Sequence, residues 1–449
     1  MVLKQHLKET VRLSIPLIIS QVGHVVTGIV DTIFLGHIGK TEQAAGVLAN
    51  SLFVLLLVFS IGISYATTPL TSSAHINNNN EEKALLLKNS FYMNFIISLL
   101  LFVALFFMSP LLANMGQSSD VVALAIPFFD VLIFSIIPVS LFFVGKQYTE
   151  GLSNTTAAMI ISVIGNILNI VLNYVLINGY LGLPKMGYMG SCWATFIARM
   201  FMGLAFVWLL FRHKDFNYIT PYFKKAKYSF AHIKQLLSIG IGSALQFTFE
   251  VAAFALSCII VGWFGKEQMD AHGIAISLAS FTYMLSSGLS GAACIRVSNF
   301  NAQKDWPNLK LAGKSAFIIV LCIMSFCAIL FFCLHHILPL AFSKDSEILS
   351  LASDLLIIAG LFQLFDGTQV VAQGMLRGME DVKIPTFITL IAYWGIALPL
   401  AYYFGEVLQL KVQGVWYALT LSLMVAAVGL YWRFRRLVNR EKCKCFKCL

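Results

Sequence analysis

The chain has 449 residues, 58% of them hydrophobic and only 12% charged, with a formal net charge of +10. That balance excludes a water-soluble globular protein, which carries far more charge, so lipid must be the main solvent. A hydrocarbon core of roughly 30 Å needs about 20 apolar residues per helix. Runs of that length recur from end to end and leave no soluble domain of useful size.

Taken in chain order, the runs predict twelve spans. Six lie near residues 12–36, 46–74, 88–113, 121–145, 157–178 and 187–211. After a polar stretch, six more lie near 234–262, 271–297, 314–341, 350–376, 383–405 and 412–436. None alternates with the period of a barrel strand, so the expected class is an all-α integral membrane fold. The first run is too long for a signal-peptide core and has no small-residue cleavage pattern after it, so the first span is expected to remain in the mature protein. Lys and Arg gather at the N-terminus, in the even-numbered loops and in the tail. The odd-numbered loops hold only Lys40, Lys185, Lys266, Lys344 and Lys411. This positive-inside pattern predicts a multi-pass protein of the cell inner membrane with both termini cytoplasmic. It also accounts for the net charge with the lipid bilayer as partner and no nucleic acid.

None of the nine cysteines falls in a predicted outer loop, where a disulfide would form. Cys443, Cys445 and Cys448 lie in the basic tail RFRRLVNREKCKCFKCL. A metal site, a lipid-modified anchor and a disordered, lipid-attracted tail are all open readings of it.

Sliding the sequence against itself reveals a repeat at an offset of 226 residues. Leu35-Gly36-His37-Ile38-Gly39-Lys40 lies over Val261-Gly262-Trp263-Phe264-Gly265-Lys266, and Ala45, Ala49, Ser51, Gly62 and Ser64 meet Ala271, Ala275, Ser277, Gly288 and Ser290. Glu150-Gly151 then matches Arg377-Gly378, and Gly190 and Ala194 match Gly414 and Ala418 after small changes in loop length. Each half holds an even number of spans, so the two pseudo-symmetric six-helix bundles share one membrane orientation, and a binding cavity is expected between them. The predicted organisation is an N-terminal lobe over 1–211, a cytoplasmic linker over 212–233 that is rich in Lys and aromatics, a C-terminal lobe over 234–436, and the tail over 437–449. Asn77 to Asn80 is expected to form a polar loop.

A charged group at mid-bilayer costs at least about 3 kcal/mol, so an intramembrane carboxylate is a functional candidate. Five stand out: Asp31, Asp130, Glu250, Asp354 and Asp366. Asp354 is expected at the interface, and Asp130, beside Pro127, has a functional and a packing reading in balance. Asp31 shares a helix face with His24 and with Thr27 or Gly28, while Asn166, Asn169 and Asn173 form one stripe on the fifth span. Carboxylate, amide and hydroxyl oxygens suit a small hard cation such as Na⁺; interhelical hydrogen bonding would use the same Asn residues. In the second half, Ser243, Gln246 and Glu250 form one polar stripe and Asp366, Gln369 and Gln373 another. Two such stripes predict a wet cavity whose acids exchange a proton or pair with a cationic substrate. Arg199 either pairs with an acid or snorkels to the cytoplasmic side, and its place in an outside-to-inside span favours snorkelling, while His335 and His336 are expected to be interfacial. Aromatics lining the cavity would receive planar organic cations through their π faces. No phosphate-binding loop, nucleophile elbow or paired metal-ligand motif appears, which leaves an ATP-driven pump or a hydrolase without chemistry. No enzyme activity and no cofactor are therefore expected.

These residues resemble a known family, the multidrug and toxic compound extrusion transporters, and particularly its bacterial multidrug/sodium antiporter branch. LSIPLIISQ followed by VDTIFLGHIG, with Asp31 inside it, is similar to the family's first-helix signature, as is FEVAAFA around Glu250. FDGTQVVAQGMLRGMEDVKIP, containing Asp366, is similar to its most specific stretch. The resemblance implies two six-helix lobes and an antiport cycle in which inward Na⁺ or H⁺ drives amphipathic organic cations outward; a monomer is expected. It also implies an N-lobe cation site made by a first-helix Asp, two fifth-helix residues and a sixth-helix Thr, which fall on Asp31, Asn169, Asn173 and Thr195 in LNIVLN and WATFIAR. Asn173 stands where some relatives carry Asp, which lowers the charge of the site. The cation-binding set is then Asp31, Asn169, Asn173, Thr195, Glu250 and Asp366, and the substrate set Glu250, Asp366, Gln246, Gln369 and Gln373. Competing readings are a lipid-linked sugar flippase of the same superfamily, which would favour cationic cavity residues, and a channel or receptor, which needs no buried acids in its two halves.

Overall fold

A computed structural model describes residues 2–114 and 117–447 of the chain, without the side chains of 114 and 442–447. Cys448 and the side chains of Cys443 and Cys445 thus lie outside the described residues. Among those described, the fold is entirely helical. Leu3–Ile38 (α1), Lys40–Ser64 (α2), Thr67–Ile76 (α3) and Asn80–Met108 (α4) come first. Ser119–Phe134 (α5), Ile136–Gly151 (α6), Thr155–Asn178 (α7) and Tyr188–Arg212 (α8) complete the first half. A short helix, Thr220–Lys225 (α9), sits in the linker. Phe230–Gly262 (α10), Lys266–Ala302 (α11), Trp306–Leu334 (α12) and Ser346–Gly378 (α13) follow. Lys383–Leu390 (α14) and Leu398–Tyr402 (α15) are joined and followed by wider π turns at Ile391–Ala397 and Tyr403–Val407, and Lys411–Lys447 (α16) ends the described chain. Eleven of these segments are long and apolar enough to cross a membrane, with α2 and α3 counting as one span. The bent pair α5–α6 supplies a twelfth.

The irregularities have local causes. The 42° bend between α5 and α6 falls just ahead of Pro138, whose ring removes the hydrogen bond to the Phe134 carbonyl and crowds it. The chain tightens there: the Ser135 N–H and Oγ both donate to the Leu132 carbonyl, at 2.9 and 2.6 Å. Asn79, expected in a polar loop, caps α4 by accepting from the Glu82 N–H at 3.0 Å. Asp305 does the same for α12, accepting from the Asn308 N–H at 3.1 Å. These two caps are one repeat offset apart. α7 ends on Gly179 at φ 77°, the left-handed position that glycine fills at least cost.

The chain forms two compact units, 19–244 and 1–18 with 245–449. Packing therefore divides inside two long helices, α1 and α10, and not at the linker boundaries of chain order. In α1 the division comes just after Pro16, which leaves the Arg12 carbonyl without its helical donor. The two break points, after Ile18 and after Ala244, are again one repeat offset apart. The core of the first unit gathers Phe53, Phe129, Phe142 and Phe206, and that of the second Phe362, Tyr393, Trp416 and Leu419.

Matched glycines carry the repeat into packing. A side chain on Gly62 would strike the backbone of Ala244, and one on Gly288 would lie 2.6 Å from the Ile18 nitrogen. Likewise Gly151 packs on Thr68 and Thr71, and Gly378 on Cys294 and Val297. Each pair consists of equivalent positions, so the two bundles are built alike down to individual helix crossings.

Candidate cation sites in the two bundles

In the unit formed by 19–244, Asp31 of α1 is met by α7 and α8. One carboxylate oxygen accepts from Asn173 Nδ2 at 2.7 Å and the other from Thr195 Oγ1 at 3.1 Å. Asn169 Nδ2 donates to Thr195 Oγ1 at 3.2 Å, and Asn173 Nδ2 is also 3.2 Å from Asn169 Oδ1. All four sequence candidates thus converge. Asn173 and Asn169 are buried, and Asn173 Oδ1 has no hydrogen-bond partner among the described residues. A buried carbonyl oxygen beside a carboxylate is costly unless something positive satisfies it.

Other residues on those stripes do different work. Asn166 lies against the backbone of Gly23, Thr27 Oγ1 returns to the Gly23 carbonyl at 3.0 Å, and His24 packs edge-on against Phe142. Arg199 does not snorkel. Its Nη1 donates to Ser135 Oγ at 2.6 Å at the α5–α6 bend, its guanidinium lies 4.8 Å from the centre of the Phe53 ring, and its charge acts on Asp31. The Ser135 hydroxyl at the bend donates to the Leu132 carbonyl and accepts from Arg199, a place for the cation that hydropathy alone does not reveal.

In the unit formed by 245–449 with 1–18, Glu250 of α10 and Asp366 of α13 are each only 3% exposed and close enough to interact electrostatically. Gln369, fully buried, donates through Nε2 to Glu250 Oε2 at 3.3 Å and to the Tyr393 hydroxyl at 2.8 Å. That hydroxyl lies 3.0 Å from Gln369 Oε1. Tyr283 of α11 also hydrogen-bonds to Glu250. Of the ion pairs among the described residues, none involves Glu250 or Asp366. Gln246 is tied elsewhere, donating to the Val382 carbonyl and to Thr386 Oγ1, both at 3.2 Å. Gln373 Nε2 is buried without a partner among the described residues. The sequence reading missed Tyr283 and Tyr393. A tyrosine in an apolar span is a signal in itself, since a buried phenol needs a polar partner.

The remaining candidates are peripheral. Asp130 is exposed and accepts from Ser109 Oγ at 2.8 Å, the packing alternative. Asp354 is exposed and meets Gln413 at 3.3 Å. His336 pairs with Ser353 at 2.8 Å, and no group of three metal-ligating residues occurs among the described residues.

Two stretches of the chain, 16–175 and 243–403, match the MatE family, one in each half. The chain belongs to the MatE family. Among its relatives are the probable multidrug resistance proteins NorM of Agrobacterium fabrum, 31% identical over 97% of this chain and 95% of that protein, and of Pseudomonas syringae pv. tomato, 31% identical over 96% and 95%. The fold is that of the eukaryotic MATE transporter AtDTX14, with a TM-score of 0.88 at 18% identity over 98% of this chain and 99% of that one. Membership makes this MatE chain a multi-pass membrane transporter and not an enzyme.

Proposed function

We propose that the protein is a secondary active antiporter of the inner membrane, with both termini cytoplasmic, that exports amphipathic organic cations in exchange for Na⁺ or H⁺. One observation carries the reading: Glu250 and Asp366 are both buried and act on each other electrostatically, Glu250 meets the neutral donor Gln369, and no ion pair among the described residues involves either acid. Two like-charged acids in such a place are stable only when a proton or a cation joins them. A drug cation and a coupling ion are therefore alternative occupants of one site, and exchange follows from exclusion. The named multidrug resistance of the relatives agrees with that substrate class. The Asp31 cluster, with its spare Asn173 oxygen, supplies the oxygen ligands a Na⁺ ion wants. The paired acids count against a lipid-linked sugar flippase, whose phosphates need cationic partners.

The test is transport from vesicles reconstituted with the purified protein, with Na⁺ and pH gradients imposed separately. A cationic dye should move uphill under at least one gradient and stop when it is collapsed. Dye movement that only ever runs downhill, whichever gradient is imposed, would overturn the antiport reading.

A further inference from the structure

The linker is a built element. Its residues Phe216 and Ile219 are buried with Leu87 of α4, Tyr148 of α6 and Leu210 of α8. Lys88 Nζ donates to the carbonyls of Ala226 at 2.8 Å and Phe223 at 3.4 Å. Asn89 Oδ1 accepts from the Ser229 N–H at 3.0 Å, and His232 meets Glu82 at 2.9 Å. These contacts fasten the linker along the first turns of α4 and leave a groove of about 370 Å³ beside it.

The groove is walled by Phe91 and Tyr92 of α4, Leu141 of α6, Val207 of α8, and Phe223 and Tyr228 of the linker. Tyr92 and Tyr228, with ring centres 4.7 Å apart, are 42% and 62% exposed, so the groove opens outward. Its one cationic wall residue, Lys88, is occupied by the two carbonyls. In the linker, exposed Lys224 and Lys225 directly follow the wall residue Phe223, and exposed Lys227 directly precedes Tyr228. An apolar slot whose linker wall is flanked in the chain by exposed lysines disfavours an organic cation and suits a molecule with an apolar chain and an anionic head. Basic segments beside a membrane span draw anionic lipid by about 1 kcal/mol per residue, and aromatic rings favour the same interfacial depth.

We propose that this groove seats an acyl chain of an anionic phospholipid from the leaflet on the linker's side, with its phosphate held by Lys224, Lys225 and Lys227. The test uses the full-length protein offered equal amounts of phosphatidylglycerol and phosphatidylcholine in mixed micelles, with retained lipid read by native mass spectrometry. The wild type should retain phosphatidylglycerol preferentially. Replacing the three lysines with Gln should lower that preference by up to about fivefold per lysine. Val207→Trp, which fills the groove but keeps every charge, should also abolish retention, and glycerol phosphate, a headgroup without chains, should not displace the lipid. Equal retention of the two lipids by the wild type overturns the proposal. So does a preference that survives the lysine substitutions, which alter only exposed side chains and test the idea even if Val207→Trp fails to fold. Displacement by glycerol phosphate would reduce the site to a bare anion patch and equally overturn it. The readout requires no transport, so its failure leaves the antiport reading untouched.

Discussion

Among single residues the buried acids matter most, because lipid does not tolerate them without compensation. Glu250→Gln and Asp366→Asn keep shape and hydrogen bonding but remove the charge. Each is expected to insert normally and to lose export by about tenfold or more, the worth of one charge-assisted interaction. Dye efflux per molecule of inserted protein checks this, and Asp366→Glu should recover part of the loss. For the Asp31 cluster, Na⁺ at about a hundred times its Kd should raise stability by about 2.7 kcal/mol, because a ligand stabilises only the state that binds it. Asp31→Asn should be protected by Na⁺ less than the wild type, any remaining protection coming from the acid pair; protection undiminished in the variant contradicts the assignment. The acids were legible in the sequence because cost alone singles them out. Tyr283, Tyr393 and the path of Arg199 were not, since which hydroxyl a buried group finds depends on helix crossings and on a bend.

At the scale of elements, the twelve spans follow from hydropathy, but their breaks do not. The sequence reading treats residues 121–145 as one span, whereas Pro138 divides it into α5 and α6. It treats Gly374-Met-Leu-Arg-Gly378 as part of a family signature, whereas physically these are two small residues one turn apart that let α13 touch α11. A side chain on Gly374 would meet both the hydroxyl and the carbonyl of Ser290, and one on Gly378 would lie 2.6 Å from the Cys294 carbonyl. Backbone cannot retreat as a side chain can, so Gly374→Ala is expected to destabilise by about 1–3 kcal/mol. Gly273, also in α11, has nothing within 4 Å of its added carbon. Gly273→Ala should be neutral or slightly stabilising, since alanine is the better helix former. Equal melting temperatures for the two variants would show that the α11–α13 contact is looser than drawn.

At the scale of the whole molecule, the repeat was readable as matched letters, and its physical content is matched packing: Gly62 with Ala244 against Gly288 with Ile18. What chain order could not disclose is that α1 and α10 each serve both compact units, because hydropathy marks where a helix is and not what it packs against. Symmetry also stops short of the chemistry. The acid pair Glu250 and Asp366 lies in one bundle, whereas Asp31 in the other is engaged by amides and a hydroxyl. The expected division of labour is drug and ion exchange at the pair, with a coordinated cation at Asp31. Replacement of one cation by another at the pair is open to equilibrium titration of a cationic dye against purified protein, across pH and Na⁺ concentration. Protonation or Na⁺ occupancy removes the negative charge that the dye needs, so dye affinity should fall as pH falls or as Na⁺ rises. By linkage the dye should weaken binding of the same ion by the same factor. Dye affinity that is unchanged by either ion would mean that Glu250 and Asp366 do not exchange one cation for another, and would contradict the account.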